Sequence, residues 1–359
     1  MQRSIFIVSE DLVAPWDEGI KKFTVSIGRA LAPDHAVRIV NVDRSGLAAA
    51  RNGGGRGDDE IRNLPGSRTF ASGALRRELR AANPDVVIYV PSPSDTVSSI
   101  LRARVLRVHA PRARIGMVAL IPRRHGRSLR PLLRRAAPDR IFVPSYASLL
   151  HLCDLGLPGG ILPIGVDLAT FSPVAGDDKR RLRREHGIPE DAFVYLHVGH
   201  LTPKRNLAVL ARLAALPGAY VIAIGSTSTP EDTRLRNDLE AAGVRVIREF
   251  VPVHEYYRMV DAYVFPTIDS EGCVEIPLSV FEALASGVPV LARAFGGLRD
   301  FIPAGDDVRY FDDDDALMAH ATALQAGPAP AVRAMDPFGW RRVAGQLLTE
   351  LMGETGDQS

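Results

Sequence analysis

Short β-branched runs alternate with longer amphipathic segments along almost the whole chain, and this restricts the fold more than any other feature. Two parallel strands need a long crossover between them, usually a helix, so the alternation predicts parallel α/β architecture. In the first half the runs are "SIFIVS", "AVRIVNV", "DVVIYV", "RIGMVAL" and "RIFVPS", with helical patterning over residues 18–31, 72–82 and 96–108. The second half repeats the plan with "AFVYLHVG", "AYVIAIGS", "VRVIREF", "AYVFPT" and "VPVLARA". A chain of 359 residues exceeds what one core normally supports, so two domains are expected. The Pro-, Gly- and Asp-rich stretch "ILPIGVDLATFSPVAGDDKRR" marks the boundary, giving residues 1–167 and 168–337 as the domains. "RNGGGRGDDE" (residues 51–60) reads as a flexible loop.

Composition excludes several classes. With 46% apolar and 24% charged residues the chain reads as globular, and no apolar run approaches the ~20 residues of a membrane span. "SIFIVS" is cut short by Glu10 and Asp11, so it reads as a first strand and not as a signal peptide. Cys153 and Cys273 are too few and too far apart for a disulfide framework or a CxxC metal site. A reduced, cytoplasmic protein is expected. The net charge of +2 conceals an excess of basic residues before residue 168 and of acidic residues after it. Between residues 102 and 140 arginines face the single acid Asp139. That split points to an anionic partner, such as a phosphorylated molecule or the inner membrane face; the plainer reading is a solvated arginine-rich surface. Nothing points to nucleic acid.

Two stretches carry chemistry, and both follow strands, where open α/β sheets bind ligands. "HVGHLTPKRNLAVLARL" turns at Gly199, next to His200, and is predicted to enter a helix near Asn206. Lys204 and Arg205 would then stand at a helix N-terminus, a position unfavourable for cations unless an anion binds there. "AYVFPT" is followed by the loop "IDSEGCVE", then by the helix "PLSVFEALASG" with Pro277 as a suitable first residue. The backbone N–H groups of Leu278 and Ser279 form a second candidate anion site. Glu282 lies in this helix among Val280, Phe281 and Leu284, where its carboxylate suits a ribose diol; pairing with an arginine is the alternative. Glu271 and Glu275 are candidates for sugar hydroxyls. Gly296 and Gly297, after "VPVLARA", allow close approach of the backbone.

These pieces have a familiar order. "PIGVDLATFSP", "VGHLTPKRN", "EIPLSVFEALASGVPV", "FGGLRDFI" and "FGWRRVAGQLL" resemble the retaining glycosyltransferases of the GT-B, family 4 type, over roughly the second half of the chain. The resemblance implies two Rossmann-like domains facing across a cleft. The first would bind acceptor, with a terminal helix (residues 338–359, including Trp340) packing back on it; the second would bind the nucleotide-sugar donor. It implies that Arg205, with Lys204 beside it, contacts the donor diphosphate. It also implies that Glu282 contacts the ribose and that the loop at Phe250 and Val251 meets the nucleobase. The chain departs from the family in places. Val274 stands where the first Glu of the E-x7-E signature belongs, which leaves Glu275 or Glu271 to reach the donor sugar, with Glu275 preferred. His200 replaces an arginine. The glycine-rich loop after strand one survives only around Gly19, and His125 is the nearest candidate for the active-site histidine.

The activity implied is transfer of a hexose from a nucleotide-diphosphate sugar, with UDP favoured over GDP and GDP left open, to a carbohydrate, lipid-linked or small-molecule hydroxyl. Configuration would be retained and no cofactor or metal used. The run "DDDD" (residues 312–315) reads as a solvated helix start and not as a metal site. A glycosidase fits less well: Glu275 and Glu282, if both helical, would stand ~10 Å apart, beyond the ~5–5.5 Å of a retaining pair. The remaining alternative is a catalytically silent nucleotide-sugar or carbohydrate binder.

Overall fold

A computed structural model of the protein describes residues 2–10, 12, 14, 16, 18–43, 61–65, 69–92, 94–226, 232–268 and 273–353. The loop predicted at 51–60 lies outside them. The chain divides into two compact units, one of residues 1–164 with 340–359 and the other of residues 165–339.

The first unit begins β1 (Ser4–Glu10), α1 (Gly19–Leu31), β2 (Ala36–Asp43), β3 (Ile61–Pro65), α2 (Gly73–Ala82), β4 (Val86–Val90) and α3 (Val97–His109). It continues β5 (Arg114–Val118), α4 (Arg130–Ala136), β6 (Arg140–Val143), α5 (Tyr146–Asp154) and β7 (Gly159–Ile161). Seven strands form one parallel sheet in the order β3-β2-β1-β4-β5-β6-β7. Every residue of β4 is buried, as expected of a strand covered on both faces. Helices α2 to α5 share one core on one face, through Leu75, Ile100, Leu133 and Leu152. Helix starts follow local chemistry: the side chains of Ser72, Thr96 and Ser145 cap α2, α3 and α5 by accepting from the N–H three residues on.

Glu10, at the end of β1, is fully buried and holds three elements together. Its carboxylate accepts from the Tyr89 hydroxyl at 2.8 Å, from Arg102 Nη1 at 2.7 Å and from the Ser92 N–H at 3.2 Å. Removing either Glu10 or Arg102 would strand the other's buried charge, at a cost of about 3–5 kcal/mol. Arg102 is therefore interior, and the arginine-rich stretch is not one uniform surface. Arg107 pairs with Asp139 and donates to the Ala113 carbonyl at 2.6 Å, and Arg140 lies 3.4 Å from Glu350.

The second unit runs α6 (Gly176–Glu185), β8 (Phe193–Val198), α7 (Val209–Ala214), β9 (Ala219–Ile224), α8 (Thr233–Ala241) and β10 (Arg245–Ile247). Next come α9 (Val253–Met259), β11 (Ala262–Phe265), α10 (Leu278–Ala285), β12 (Val290–Arg293), α11 (Leu298–Phe301), β13 (Val308–Phe311) and α12 (Asp314–Ala326). Its six parallel strands have the order β10-β9-β8-β11-β12-β13, so strand order reverses between β8 and β11. Crevices at such reversals are where open sheets place ligands. Asp313 caps α12 by accepting from the Ala316 N–H at 2.8 Å, in line with the reading of the acidic run as a helix start. The final helix, α13 (Trp340–Met352), belongs to the first unit, where Trp340 meets Phe23 edge-to-face at 5.6 Å between ring centroids.

Candidate functional site

The site is built on the strand ends of β8, β11 and β12, at the reversal point. Beyond β8 the chain turns at Gly199, whose N–H donates to the Ile224 carbonyl at 3.0 Å. A Cβ at Gly199 would sit 3.1 Å from His197 Nε2, so the glycine lets the turn lie against that ring.

Here the structure differs from the sequence expectation. Lys204 and Arg205 occupy a single 3₁₀ turn, Pro203–Arg205, and Asn206 follows in the left-handed region at φ 55°. The α-helix starts only at Val209. The basic pair therefore does not sit on a helix N-terminus, and the dipole argument does not apply to it. Asn206 is the reason: its amide donates to Asp314 Oδ1 at 3.2 Å and it tolerates the left-handed conformation, so it ends the turn instead of starting a helix. Lys204 is exposed. Arg205 is half-buried, with its guanidinium on the thiol of the buried Cys273. That contact joins the turn after β8 to the loop before α10.

Helix α10 begins at Leu278, one residue later than expected, with Pro277 as the extended residue that precedes it. Among the described residues the N–H groups of Leu278 and Ser279 have no acceptor, as the first donors of a helix must. Glu282 is buried at 6% exposure, a turn and a half further on. Around it stand groups that sequence reasoning missed. The Tyr257 hydroxyl donates to the Ser279 carbonyl at 3.1 Å and lies 3.5 Å from Glu282 Oε2. The Tyr263 hydroxyl donates to Ser279 Oγ at 2.7 Å. Burial, and then the Glu282 charge, push the Tyr257 hydroxyl far above the usual phenol range. For Tyr263 burial raises the pKa and Glu282 adds to it, while Arg205 opposes, so the fields of both predicted donor-binding residues meet at this one ring. A buried tyrosine needs a partner for its hydroxyl, and that need was the available sequence signal at "HEYYRMVDAYVF".

Glu275 and Gly296 are locked together. Gly296 has φ 50°, a Cβ there would fall 2.0 Å from the Glu275 carbonyl oxygen, and the Gly297 N–H donates to that oxygen at 3.3 Å. The loop after β12 thus holds the segment bearing Glu275 in place. Glu271 lies outside the described residues. Phe250 is 71% exposed, on the loop after β10, with Val251 partly buried beside it.

His197 is the other group that sequence reasoning passed over. It is buried at the end of β8, with Nδ1 2.9 Å from the Val264 carbonyl and Nε2 without a partner among the described residues. Since a carbonyl only accepts, Nδ1 carries the proton and Nε2 is a bare acceptor. Burial lowers its pKa to about 4, with smaller contributions from Arg205 and His200, so the ring is neutral.

In the first unit, Gly19 is the first residue of α1. His125 is bound within the fold: its side chain is 5% exposed, with Nε2 2.8 Å from the Asp95 carbonyl and 3.6 Å from Asp95 Oδ2. Its backbone N–H donates to His151 Nε2 at 3.0 Å. The Asp95 carboxylate raises the His125 pKa against the effect of burial. This geometry ties the loop after β5 to Ser94–Asp95 and gives His125 a fastening role.

Comparison with known proteins follows the same division. The profile of Glycosyl transferases group 1 matches residues 178–325, and that of Glycosyltransferase Family 4 matches residues 18–170. The D-inositol 3-phosphate glycosyltransferase of Geodermatophilus obscurus is 32% identical over 216 residues, 52% of this chain and 46% of that protein. Its counterpart in Mycobacterium tuberculosis strain H37Ra is 30% identical over 221 residues, 54% of this chain and 43% of that protein. The chain spans about half the length of the curated relatives it matches. Among solved structures, HepE of Anabaena with UDP-glucose superposes at TM-score 0.70 and 13% identity, over 97% of this chain and 99% of that one. A glycosyltransferase from Rickettsia africae superposes at TM-score 0.74 and 14% identity, over 99% of this chain and 100% of that one. Identities this low speak to the fold, and two parallel-sheet units matched by one glycosyltransferase profile each leave one assignment: this chain belongs to the GT-B glycosyltransferases of the family 4 type.

Proposed function

We propose that the protein is a retaining glycosyltransferase that moves a hexose from a nucleotide-diphosphate sugar to a hydroxyl acceptor. The observation that carries this reading is Glu282, a carboxylate buried in the first turns of α10 behind two N–H groups that lack acceptors among the described residues. The carboxylate keeps acceptor capacity beside its Tyr257 contact, and a ribose diol offers two donors in the form it can accept. The N–H groups of Leu278 and Ser279, with Arg205 and Lys204, then meet the diphosphate. Glu275 meets the donor sugar, and the Phe250–Val251 loop meets the base. UDP is the preferred nucleotide, in keeping with HepE having been solved with UDP-glucose. The acceptor is a carbohydrate, a lipid-linked intermediate or a small molecule; the relatives named for D-inositol 3-phosphate support the last.

In the proposed reaction the bond between the anomeric carbon and the β-phosphate oxygen breaks, and that electron pair stays on the leaving diphosphate. The acceptor hydroxyl adds on the same face and its proton passes to the departing phosphate oxygen. Charge builds on the diphosphate, so preorganised donors at Arg205 and the start of α10 act where it develops, without a metal. A thermal-shift panel of nucleotides and nucleotide sugars tests the reading. Near 100 times its dissociation constant a donor stabilises the protein by about 2.7 kcal/mol, and UDP and UDP-hexoses should do so in EDTA. Absence of any shift, or one that needs a divalent cation, contradicts it.

A further inference from the structure

Helices α3, α4 and α5 lie side by side on one face of the first unit's sheet, and their outward sides combine two features that solvent alone does not favour. Five of the eight large apolar side chains exposed among the described residues lie on these helices, including Val108 at 64% and Leu150 at 66%. Leu132 and Leu101 are also exposed. Among them stand the exposed arginines Arg127, Arg130, Arg134 and Arg135, and Arg123 and Arg124 precede them on the loop after β5. Among the described residues none of these six forms an ion pair. Four of the stretch's other six arginines do pair: Arg102 with Glu10, Arg107 and Arg114 with Asp139, and Arg140 with Glu350. The sequence has thus supplied carboxylates where arginine serves the fold and withheld them on this face. Asp139 and Asp154 are the two acids between residues 97 and 154.

The basic groups share one surface. Arg130 Nη2 and Arg134 Nε each come within 3.4 Å of where a Cβ on Gly156 would stand, just past the end of α5. The loop bearing Arg123 and Arg124 is fastened to α5 through the 3.0 Å bond from the His125 N–H to His151. It is fastened to the segment between β4 and α3 by the Arg123 N–H, which donates to Asp95 Oδ1 at 2.7 Å.

We infer that this face docks on an anionic lipid bilayer, with the guanidinium groups among the headgroup phosphates and the leucine and valine side chains at the acyl boundary. Charge decides between occupants. A second copy would bring the same unpaired arginines against these, which repels. A phosphodiester strand would satisfy the arginines but leave the aliphatic side chains without a partner, whereas a bilayer interface accepts both. This inference rests on the first unit alone and stands apart from the donor-site reading.

The test is co-sedimentation of the full chain with vesicles of phosphatidylcholine alone, or with about a third phosphatidylglycerol, at moderate salt. The protein should pellet with the anionic vesicles only, and less as salt rises. Arg127→Glu/Arg130→Glu/Arg134→Glu should weaken binding about a hundredfold or more, by the usual gain per basic residue near such a surface. Leu150→Asp, a single exposed change, should weaken it separately. Both variants should keep the parent unfolding temperature and the parent UDP-induced shift. Pelleting that ignores phosphatidylglycerol, or variants that pellet like the parent, overturns the inference. So does a parent that binds a single-stranded RNA oligomer more tightly than the anionic vesicles.

Discussion

The Tyr257 hydroxyl stands between the Ser279 carbonyl, 3.1 Å away, and the Glu282 carboxylate, 3.5 Å away. The tyrosine comes from α9 and both partners from α10, so this one hydroxyl sets where the buried carboxylate lies relative to the start of its helix. Phenylalanine at 257 keeps the ring and removes the hydroxyl. Tyr257→Phe should lower stability by about 1–2 kcal/mol, read from urea unfolding, because the buried hydrogen bond to the Ser279 carbonyl is lost. It should also weaken UDP binding severalfold. An unchanged UDP affinity would mean that the tyrosine does not position Glu282.

Arg205 joins two loops through Cys273 and faces the proposed diphosphate. Arg205→Ala should weaken UDP binding by roughly 10- to 100-fold while affecting uridine little, since a charge-assisted hydrogen bond is worth about 1.5–3 kcal/mol. Arg205→Lys keeps the charge but not the planar fork, so it should fall between the two. Calorimetric titration reads all three. Equal losses for UDP and uridine would place Arg205 outside the phosphate site.

At Gly296 the left-handed φ of 50° and the Glu275 carbonyl leave no room for a side chain. Gly296→Ala should therefore move the Glu275 segment, destabilise the protein by about 1–3 kcal/mol and weaken binding of UDP-hexose more than of UDP. Differential scanning calorimetry with paired titrations checks both parts. A neutral substitution would show that the loop after β12 does not hold Glu275.

Two histidines give opposite pH dependences. His197 has its pKa lowered to about 4 in the fold, against about 6.5 unfolded, so acid protonates the unfolded chain first. Its stabilising share is whole above about pH 6.5 and is lost as pH falls towards 4, on the order of 3 kcal/mol in all. His197→Asn, which keeps a donor near the Val264 carbonyl, should flatten that acid limb in urea-unfolding curves. His125 has its pKa raised by Asp95, so its share is whole below about pH 6.5 and fades as pH rises through the folded value. His125→Gln should remove that neutral-to-alkaline loss. Limbs of the same sign for both histidines would contradict the assigned environments.

The elements that carry long apolar periodicity were legible from sequence: the buried strands β4 and β8 and helices α1 and α3 all lie within a residue or two of expectation. So, to within one residue, was the start of α10 at Pro277, because proline's missing N–H costs nothing there. The turn at Lys204–Arg205 was not, because Asn206 in the left-handed region depends on a tertiary bond to Asp314, more than a hundred residues away. Arg102 was read with the surface arginines for the same reason: its partner Glu10 is distant in sequence and close only in the folded sheet. His197, Tyr257 and Tyr263 were given no role from sequence, since their surroundings depend on which carbonyl or carboxylate each polar atom meets.

The central claim is that Glu282 grips the ribose diol of a bound nucleotide, and the most direct measurement is a cycle of four titrations. UDP and 2′,3′-dideoxy-UDP are each bound to the parent and to Glu282→Gln. Loss of the diol should cost the parent about 10- to 100-fold in affinity, and the variant little more, because the partner for those hydroxyls is already weakened. An equal penalty in both proteins, or none in the parent, would contradict the account.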